Sequence, residues 1–320
     1  MFEENTDQKY GIGFLLLKMA SYWCFFTFIF LYVLSIYQDD LLYLRNIPIR
    51  HIYDNPKSYQ SPAERYMNHL AITIEREDGV KLKGWFINNL DEQDRNVFRS
   101  EDLQNRRLVI FFHENAGNIG LRMDYYVQLY KMLGIDILAM AYRGYSDSTG
   151  EPSEQSLKQD AHAIMKYVSD NFARYYVDNG GIFILGRALG GAVAVEAYHK
   201  DQHKSMIDGI ILENTFTSIS DLVDQNLVFI RWFKSFFLNI GWRTIDIIPD
   251  IEAPLLFITG MNDDIVPPFQ TQQLYNAATS SKFKEIAVIE KGQHNNTWAV
   301  DKHNYLRQLK YFMDKANQEM

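Results

Sequence analysis

Short apolar runs alternate with amphipathic stretches along the chain from residue 70 to its end. Runs such as Leu108-Val-Ile-Phe-Phe112 and Leu255-Leu-Phe-Ile258 are apolar at every position. Continuous runs of this length are typical of strands that are buried on both faces of a mainly parallel sheet. We therefore predict strands over residues 70–75, 81–87, 107–113, 135–141, 182–186, 209–213, 254–260 and 285–289.

Segments with helical periodicity fill most of the intervals between these strands. The first two strands are separated only by a short turn around Glu77-Asp-Gly79, which predicts an antiparallel hairpin. The alternation that follows indicates the α/β class, with an eight-stranded, mostly parallel sheet and helices on both faces. The charged segment 88–106 is predicted to be a surface loop. The predicted helices cover residues 121–133, 154–172, 189–199, 269–278 and 301–316.

The pattern before residue 70 is of a different kind. Residues 19–37 carry no charged side chain and are rich in aromatic and aliphatic groups. A helix needs about 20 apolar residues to cross the hydrocarbon core of a bilayer. We therefore predict a tail over residues 1–11, one transmembrane helix over 12–37, an irregular tether over 38–69, and a folded domain over 70–320. A buried core helix is the alternative, but the run is longer than most core helices.

Acidic residues precede the apolar run, and they affect how the N-terminus is interpreted. Glu3, Glu4 and Asp7 stand where a secretory signal peptide has basic residues, and no small-x-small cleavage site follows. The same residues disagree with a mitochondrial transit peptide, which is poor in acidic side chains. We therefore expect a retained single-pass anchor among membrane lipids. The sequence does not determine the organelle, and the mitochondrial inner membrane and an endomembrane both stay open.

Charge and composition exclude several classes of function. The 320 residues carry a net charge of −8 without a basic block, so we expect no nucleic-acid partner. Cys24 is the only cysteine and cannot form an internal disulfide. The sequence has no His/Cys cluster with metal-ligand spacing and no phosphate-binding loop, so we expect neither a metal nor a cofactor.

A longer interval, residues 215–251, separates the sixth and seventh predicted strands and forms a lid-like insert. Three interpretations stay open for it: a lid over an acyl pocket, helices that pack on their own domain, or a surface that contacts the bilayer or a partner. Its large apolar and aromatic side chains are those of Phe229, Ile230, Trp232, Phe233, Phe236, Phe237 and Trp242.

The fifth predicted strand leads into a run with the spacing of a nucleophile elbow, Gly-x-Ser-x-Gly. Gly186 and Gly190 stand at the two glycine positions, where strand and helix backbones approach closely. The serine position is occupied by Ala188, and small-residue helical sequence follows. The spacing of the elbow is retained and its hydroxyl is absent.

Six motifs follow one another between about residue 70 and the C-terminus, and they carry a resemblance. The chain resembles the α/β-hydrolase superfamily, most closely its membrane-anchored group of the α/β-hydrolase domain-containing protein 13 type. The motifs are Asn115-Ala-Gly-Asn-Ile-Gly120, Tyr142-Arg-Gly-Tyr145, Gly186-Arg-x-Leu-Gly-Gly-Ala-Val-Ala194, Glu213-Asn-Thr-Phe216, Gly260-x-x-Asp263 with Val266-Pro-Pro268, and His294-Asn-x-Thr-Trp298.

The resemblance implies a role for each matching position. Ala188 falls on the nucleophile, Asp263 on the catalytic acid and His294 on the catalytic histidine, which is the chain order of this superfamily. The backbone N–H groups of Leu189, and of Glu114 or Asn115 after the third strand, fall on the oxyanion hole. A serine needs the histidine to take its proton and the carboxylate to orient that histidine, whereas a methyl group cannot attack.

Two further positions depart from the family's pattern. The family usually has His-Gly-Asn where this chain has His113-Glu114-Asn115, and Asp-Tyr-Arg-Gly where this chain has Ala141-Tyr-Arg-Gly144. A glutamate at position 114 puts bulk and a negative charge near the place where an oxyanion would develop, which opposes catalysis. We therefore interpret the site as naturally inactive, with Asp263 and His294 retained as a hydrogen-bonded structural pair rather than as a dyad that activates water.

The predicted function is that of a catalytically inactive α/β-hydrolase-fold membrane protein. We expect it to serve as a structural or accessory subunit, with membrane lipid around its anchor and protein partners in a membrane complex. One alternative is an active membrane hydrolase of esters or thioesters in which alanine has replaced the nucleophilic serine. A second alternative is a module that binds a lipid or acyl group in the former pocket.

Overall fold

Eight strands form one sheet in the computed structural model, which describes residues 4–88, 106–177, 179–199 and 201–319. Their order across the sheet is β1-β2-β4-β3-β5-β6-β7-β8. β1 and β2 pair as the predicted antiparallel hairpin, β2 is antiparallel to β4, and all later pairs are parallel. The strands are β1 (His69–Glu75), β2 (Lys81–Ile87), β3 (Leu108–Phe112), β4 (Asp136–Met140), β5 (Ile182–Arg187), β6 (Gly209–Glu213), β7 (Leu255–Gly260) and β8 (Lys284–Ile289).

The helices lie between these strands and at the two ends of the described chain. Every predicted strand and helix of the domain is present, with its ends within three residues of the predicted ones. The helices are α1 (Glu4–Leu42), α2 (Met123–Leu133), α3 (Glu154–Asn171), α4 (Ala173–Tyr176), α5 (Leu189–Tyr198), α6 (Ile219–Asn226), α7 (Lys234–Phe237), α8 (Thr244–Ile247), α9 (Pro268–Ala277), α10 (Thr297–Val300) and α11 (Lys302–Glu319).

The central strands are buried along their whole length. Every residue of β3, β4, β5, β6 and β7 is buried, as the continuous apolar runs predicted. The connection through α2 leads from β3 to β4 on one side, and the connection through α3 leads back across β3 to β5. Because parallel crossovers are right-handed, these two helices cover opposite faces of the sheet. The fold class predicted from the sequence is therefore confirmed.

α1 is longer than the predicted membrane helix. It runs without interruption from Glu4 to Leu42, so the residues predicted as tail are helical from Glu4 onward and the first residues of the predicted tether belong to the helix. The prediction placed the helix end where apolarity ends, but polar residues continue a helix as long as their backbone groups stay paired. Residues 13–42 form a helix that is long and apolar enough to cross a membrane, with nearly all of its side chains outside the protein core.

The segment after α1 is packed on the domain and does not act as a spacer. Tyr43 and Met67 are each only 2% exposed, and two short 3₁₀ helices, Ile52–Asp54 and Pro62–Arg65, lie between them. Leu44 forms a parallel bridge with Ala116, in the loop that follows β3. The segment joins α1 to β1 along the surface of the domain, because its apolar side chains and free backbone groups find partners there. The predicted surface loop at 88–106 lies mostly outside the described residues.

Candidate active site at the elbow

The turn between β5 and α5 keeps the backbone of a nucleophile elbow. Ala188 has φ +49° and ψ −116°, a conformation that residues with a Cβ rarely adopt. Its N–H donates to the backbone oxygen of Glu213 (2.9 Å), and its own oxygen accepts from the N–H of Gly191 (3.0 Å) and the hydroxyl of Thr215 (2.8 Å). The neighbouring strand therefore holds the strained residue in place, although there is no hydroxyl to present.

The two glycines of the motif are required by close packing. A Cβ on Gly186 would collide with the backbone oxygen of Gly190, and a Cβ on Gly190 would collide with the backbone oxygen of Phe112. Both neighbours are backbone atoms of buried elements and cannot move aside. The positions that the sequence singled out are thus needed for the fold, whatever the chemistry of the site.

Ala188→Gly should stabilise the protein. A strained φ/ψ pair costs about 1–3 kcal/mol for a residue with a Cβ, and glycine removes most of that cost while adding about 0.5–1 kcal/mol of chain entropy. We expect the free energy of unfolding, measured by chemical denaturation in detergent micelles, to rise by about 1 kcal/mol. Ala192→Gly, in the regular first turns of α5, is the matched control and should change stability in the opposite direction. Equal losses in both variants would contradict a strained Ala188.

The acid and histidine positions lie together beyond the ends of β7 and β8. His294 Nδ1 and Asp263 Oδ2 are 2.8 Å apart, and both side chains are almost completely buried. The second carboxylate oxygen of Asp263 accepts the backbone N–H groups of Ile265 (3.0 Å) and Val266 (2.8 Å). Asp263 is therefore fixed by its own loop and can orient the imidazole of His294, the geometry that a catalytic triad requires of these two members.

Glu114 is the buried centre of an ion-pair cluster. Its carboxylate accepts from Arg122 Nε at 2.5 Å and from Arg187 Nη1 at 2.7 Å. Burial alone would raise the pKa of the carboxyl group. The two guanidinium groups, together with a hydrogen bond from the backbone N–H of Glu114 itself, instead lower the pKa of Glu114 to about 2. The residue is thus ionised throughout the physiological pH range.

Arg187, one residue before Ala188, extends the cluster into the core. Its Nε lies 3.2 Å from a carboxylate oxygen of Glu213, and Tyr305 donates to the other oxygen of Glu213 at 2.6 Å. Tyr125 and Tyr305 share a further hydrogen bond of 2.7 Å. Burial raises the pKa of Glu213, while Arg187 and the Tyr305 hydroxyl oppose that rise. A chain of buried polar groups therefore joins the elbow to the C-terminal helix α11.

The predicted oxyanion-hole positions lie next to the ion-pair cluster. The carboxylate of Glu114, the first of these positions, is held by Arg122 and Arg187. Asn115 instead holds the anchor: its side chain donates to the backbone oxygen of Leu42 (2.8 Å), and its backbone oxygen accepts from Tyr145 (2.9 Å). Leu189 begins α5 directly after the elbow. The first of the predicted donor positions thus carries a bulky side chain whose carboxylate is fixed by two arginines.

This geometry corrects one expectation from the sequence. The negative charge of Glu114 was expected to oppose an oxyanion directly, but Arg122 and Arg187 balance that charge. This position therefore differs from the family's glycine in the volume of its side chain and in its two ion pairs. Sequence reasoning missed both arginines as partners. The available signal was Arg187 itself, a charged residue at the end of an otherwise apolar, buried strand, since a buried cation requires a buried anion.

His113 was interpreted as a structural hydrogen bonder, and its contacts agree with that. Its Nδ1 lies 2.7 Å from the backbone oxygen of Glu114, and its Nε2 accepts the N–H of Tyr142 at 3.3 Å. Burial, followed by the charge of Arg122, lowers the pKa of His113 to about 4, so the ring is neutral at physiological pH. A neutral ring with one donating and one accepting nitrogen joins the loop after β3 to the loop after β4.

A cavity of about 400 Å³ lies beside the elbow. Charged and polar groups at the carboxyl edge of the sheet line it together with Tyr125 and Trp298, and the residues of the insert from Phe229 to Phe237 are not part of its wall. The acyl pocket that a lid would cover is therefore not this cavity. The side chains that matter for its chemistry are Glu114, Asn115, Arg122, Tyr125, Arg187, His294 and Trp298.

The strand order, the strained turn after β5 and the Asp263–His294 pair define an α/β-hydrolase fold with a nucleophile–acid–histidine order of positions. The chain is 32% identical over 297 residues to "Alpha/beta hydrolase domain-containing protein WAV2" of Arabidopsis thaliana, covering 88% of this chain and 89% of that protein. This chain belongs to the α/β-hydrolase superfamily.

Other comparisons agree with that assignment. "Protein bem46" of Schizosaccharomyces pombe is 32% identical over 276 residues, covering 86% of each chain. "Lysophosphatidylserine lipase ABHD12" of Mus musculus is 27% identical over 310 residues, covering 88% of this chain and 75% of the relative. The solved Pyrococcus furiosus esterase Pf2001 superposes on 80% of this chain with a TM-score of 0.63 at 19% identity, which shows the fold. No protein-family model matches the chain.

Membrane association is indicated by two independent observations. Residues 13–42 form an apolar helix of membrane-spanning length. A relative from Saccharomyces cerevisiae, 32% identical over 263 residues and covering 78% of this chain, is named an uncharacterized membrane protein. The chain is therefore best described as a membrane-associated protein of the α/β-hydrolase superfamily.

Proposed function

We propose that this chain is a single-pass, membrane-anchored member of the α/β-hydrolase domain-containing protein 13 type that has lost serine hydrolysis and acts through binding. The observation that carries the proposal is Ala188, which stands in an elbow whose backbone, glycines and acid–histidine pair are otherwise intact. A nucleophile is the one part of the mechanism that no neighbouring group replaces, since His294 can accept a proton only from a group that attacks.

The surroundings of Ala188 support the loss of hydrolysis. An active site needs open access to its oxyanion-hole donors, because removing one such donor costs about 10²–10³ in turnover. Here the side chain of Glu114 stands at that loop, and two arginines hold its carboxylate in place. The Asp263–His294 pair then has a structural role, joining the loops after β7 and β8 by a part-buried hydrogen bond.

The proposed role is that of a structural or accessory subunit in a membrane complex. A protein that keeps the fold but not the hydrolytic activity must act through its surfaces. One such surface is α1, which presents bulky side chains around most of its circumference. Protein solubilised in a mild detergent should migrate at a native mass well above that of one chain, and co-purified subunits should be identified by mass spectrometry. A free monomer that carries only detergent would contradict the subunit role.

An active ester or thioester hydrolase remains a distinct hypothesis, and one observation separates the two. The native gene should encode alanine at position 188. A serine codon there would contradict the loss of hydrolysis and assign the chain to the active enzymes of this superfamily.

The cavity beside the elbow favours a second candidate function, the binding of a lipid or acyl group without chemistry. Its wall carries Arg122 and Arg187 next to the aromatic rings of Tyr125 and Trp298, which would suit an anionic headgroup. Lipid extraction followed by mass spectrometry should then find one lipid class enriched over the solubilised membrane. Arg122→Met should remove that enrichment, and an unchanged lipid profile in this variant would contradict binding at this cavity.

A further inference from the structure

The apolar insert divides into a buried part and an exposed part. Phe237 and Trp242 are buried, 5% and 1% exposed respectively. Phe229, Trp232 and Phe236 are 95%, 76% and 74% exposed, respectively, and lie within eight residues of one another. Exposed side chains of this size are rare on a soluble surface, and clustered ones mark a protein or membrane contact. The three residues, here called the aromatic patch, are therefore the part of the insert that the domain itself does not explain.

The insert is joined to the domain-proximal end of the membrane helix by hydrogen bonds. The side-chain oxygen of Gln38 accepts the backbone N–H groups of Asn239 (2.7 Å) and Ile240 (3.1 Å). Asn239 also donates to the hydroxyl of Ser35 at 3.2 Å. Further down, Trp242 Nε1 donates to the hydroxyl of Tyr43 at 2.9 Å. The chain that follows the aromatic patch is thus fixed along the last two turns of α1.

The position of this contact relative to the membrane follows from the length of the uncharged part of α1. The uncharged residues 19–37 have a length of about 28 Å at 1.5 Å per residue, which matches a hydrocarbon core of about 30 Å. Gln38, followed by two aspartates, therefore lies at the membrane surface. Leu31 lies about 10 Å further along the helix and is nevertheless only 8% exposed, between exposed neighbours. α7 packs against α1, so the insert reaches beyond the surface into the depth of the apolar span.

We propose that the aromatic patch inserts into the interfacial layer of the membrane that α1 crosses. Aromatic side chains are enriched at this level of a bilayer, where their rings remain partly apolar and partly wet. Arg231, whose guanidinium lies 5.0 Å from the ring centre of Trp232, is placed to meet lipid phosphates. Together with α1, the patch forms a second point of attachment, which holds the catalytic edge of the sheet against the bilayer.

The orientation follows from the contacts of α1. Its last residue is bonded to Asn115, at the carboxyl end of β3, and the aromatic patch lies in the insert that follows the carboxyl end of β6. Both attachments therefore belong to the carboxyl edge of the sheet. Val177 lies near the opposite edge, just before the loop whose Gly181 bonds the first residue of β3, and it is 42% exposed. It provides a matched surface position away from the membrane.

The test uses the full chain with Cys24, the only cysteine, replaced by serine. Phe236→Cys and Val177→Cys are each labelled with the environment-sensitive dye NBD and reconstituted into phosphatidylcholine vesicles. The unaltered chain labelled at Cys24 serves as the reference inside the bilayer. Vesicles are then prepared with lipid that carries a doxyl quencher near the headgroup end of the acyl chain.

We expect the label at position 236 to lose emission in the quencher vesicles and to resist iodide from the solution, whereas the label at position 177 should show the reverse. Equal behaviour of the two labels would overturn the proposal. A label at position 236 that is shielded from iodide but not quenched by the lipid would also overturn it, because the patch would then be covered by protein. Circular dichroism and retention of each variant in the vesicles establish that it is folded and inserted.

Discussion

Ala188→Ser alone should leave ester hydrolysis within about tenfold of the background of the unaltered protein. The chain keeps the Asp263–His294 pair, but the side chain of Glu114, held by Arg122 and Arg187, would still occupy the oxyanion-hole loop. Opening that loop with Glu114→Gly in the same chain should raise turnover of a p-nitrophenyl ester by about 10²–10³ over Ala188→Ser, which is the usual contribution of one oxyanion-hole donor. Turnover of short-chain and long-chain esters in detergent micelles is the measurement.

Two further variants control for the folding of the Glu114→Gly chain and for the mechanism of any hydrolysis that it shows. Glu114→Gly leaves the guanidinium of Arg122 without its carboxylate, so Arg122→Met is added in a third chain to remove the unpaired charge. His294→Ala in the active chain should return turnover to background if the pair acts as the general base. Robust hydrolysis by Ala188→Ser alone would show that only the nucleophile was missing, and it would contradict the role assigned to Glu114.

Glu114→Gln should lower the free energy of unfolding at neutral pH by about 3–5 kcal/mol. The variant keeps the size of the side chain but leaves two nearly buried guanidinium groups facing a neutral amide, and an uncompensated buried charge costs this much. Chemical denaturation of the solubilised chain measures the difference. Asp170→Asn, which breaks the exposed pair with Lys166 on α3, is the control and should cost at most about 0.5 kcal/mol.

The difference in stability between the unaltered protein and Glu114→Gln should depend on pH in a defined direction. The folded pKa of Glu114 is about 2, below the ordinary value of 4.5, so the folded state holds the ionised form more strongly than the unfolded chain does. The corresponding stability, about 3 kcal/mol, is fully present above pH 4.5 and is lost as the pH falls toward about 2. The difference in free energy of unfolding between the unaltered protein and Glu114→Gln should therefore become smaller as the pH falls over that interval. A difference that is independent of pH would contradict an ionised Glu114.

In both predictions the side chain at position 114 affects catalysis and stability in opposite directions. A glycine at position 114 would open the oxyanion-hole loop, whereas the glutamate joins Arg122 and Arg187 into a cluster that reaches Glu213 and Tyr305. Arg187 Nε and one carboxylate oxygen of Glu213 meet there as an ion pair without hydrogen-bond geometry, so the cluster is held by charge as well as by hydrogen bonds. A protein that has lost hydrolysis, as we propose for this chain, needs no oxyanion hole, and the residue at position 114 can then serve the stability of the fold.

The sequence by itself determined the order of strands and helices, the elbow spacing around Ala188, and the apolar length of α1. Each of these depends on local periodicity or on close backbone approach, which neighbouring residues encode. Only the tertiary structure decided the partners of Glu114 and the docking of the chain after α1. Asn115 bonds Leu42 across 73 positions, and Glu114 meets Arg187 from another strand. Such contacts depend on how buried charges and free backbone groups find partners once distant segments meet, and no local pattern records that choice.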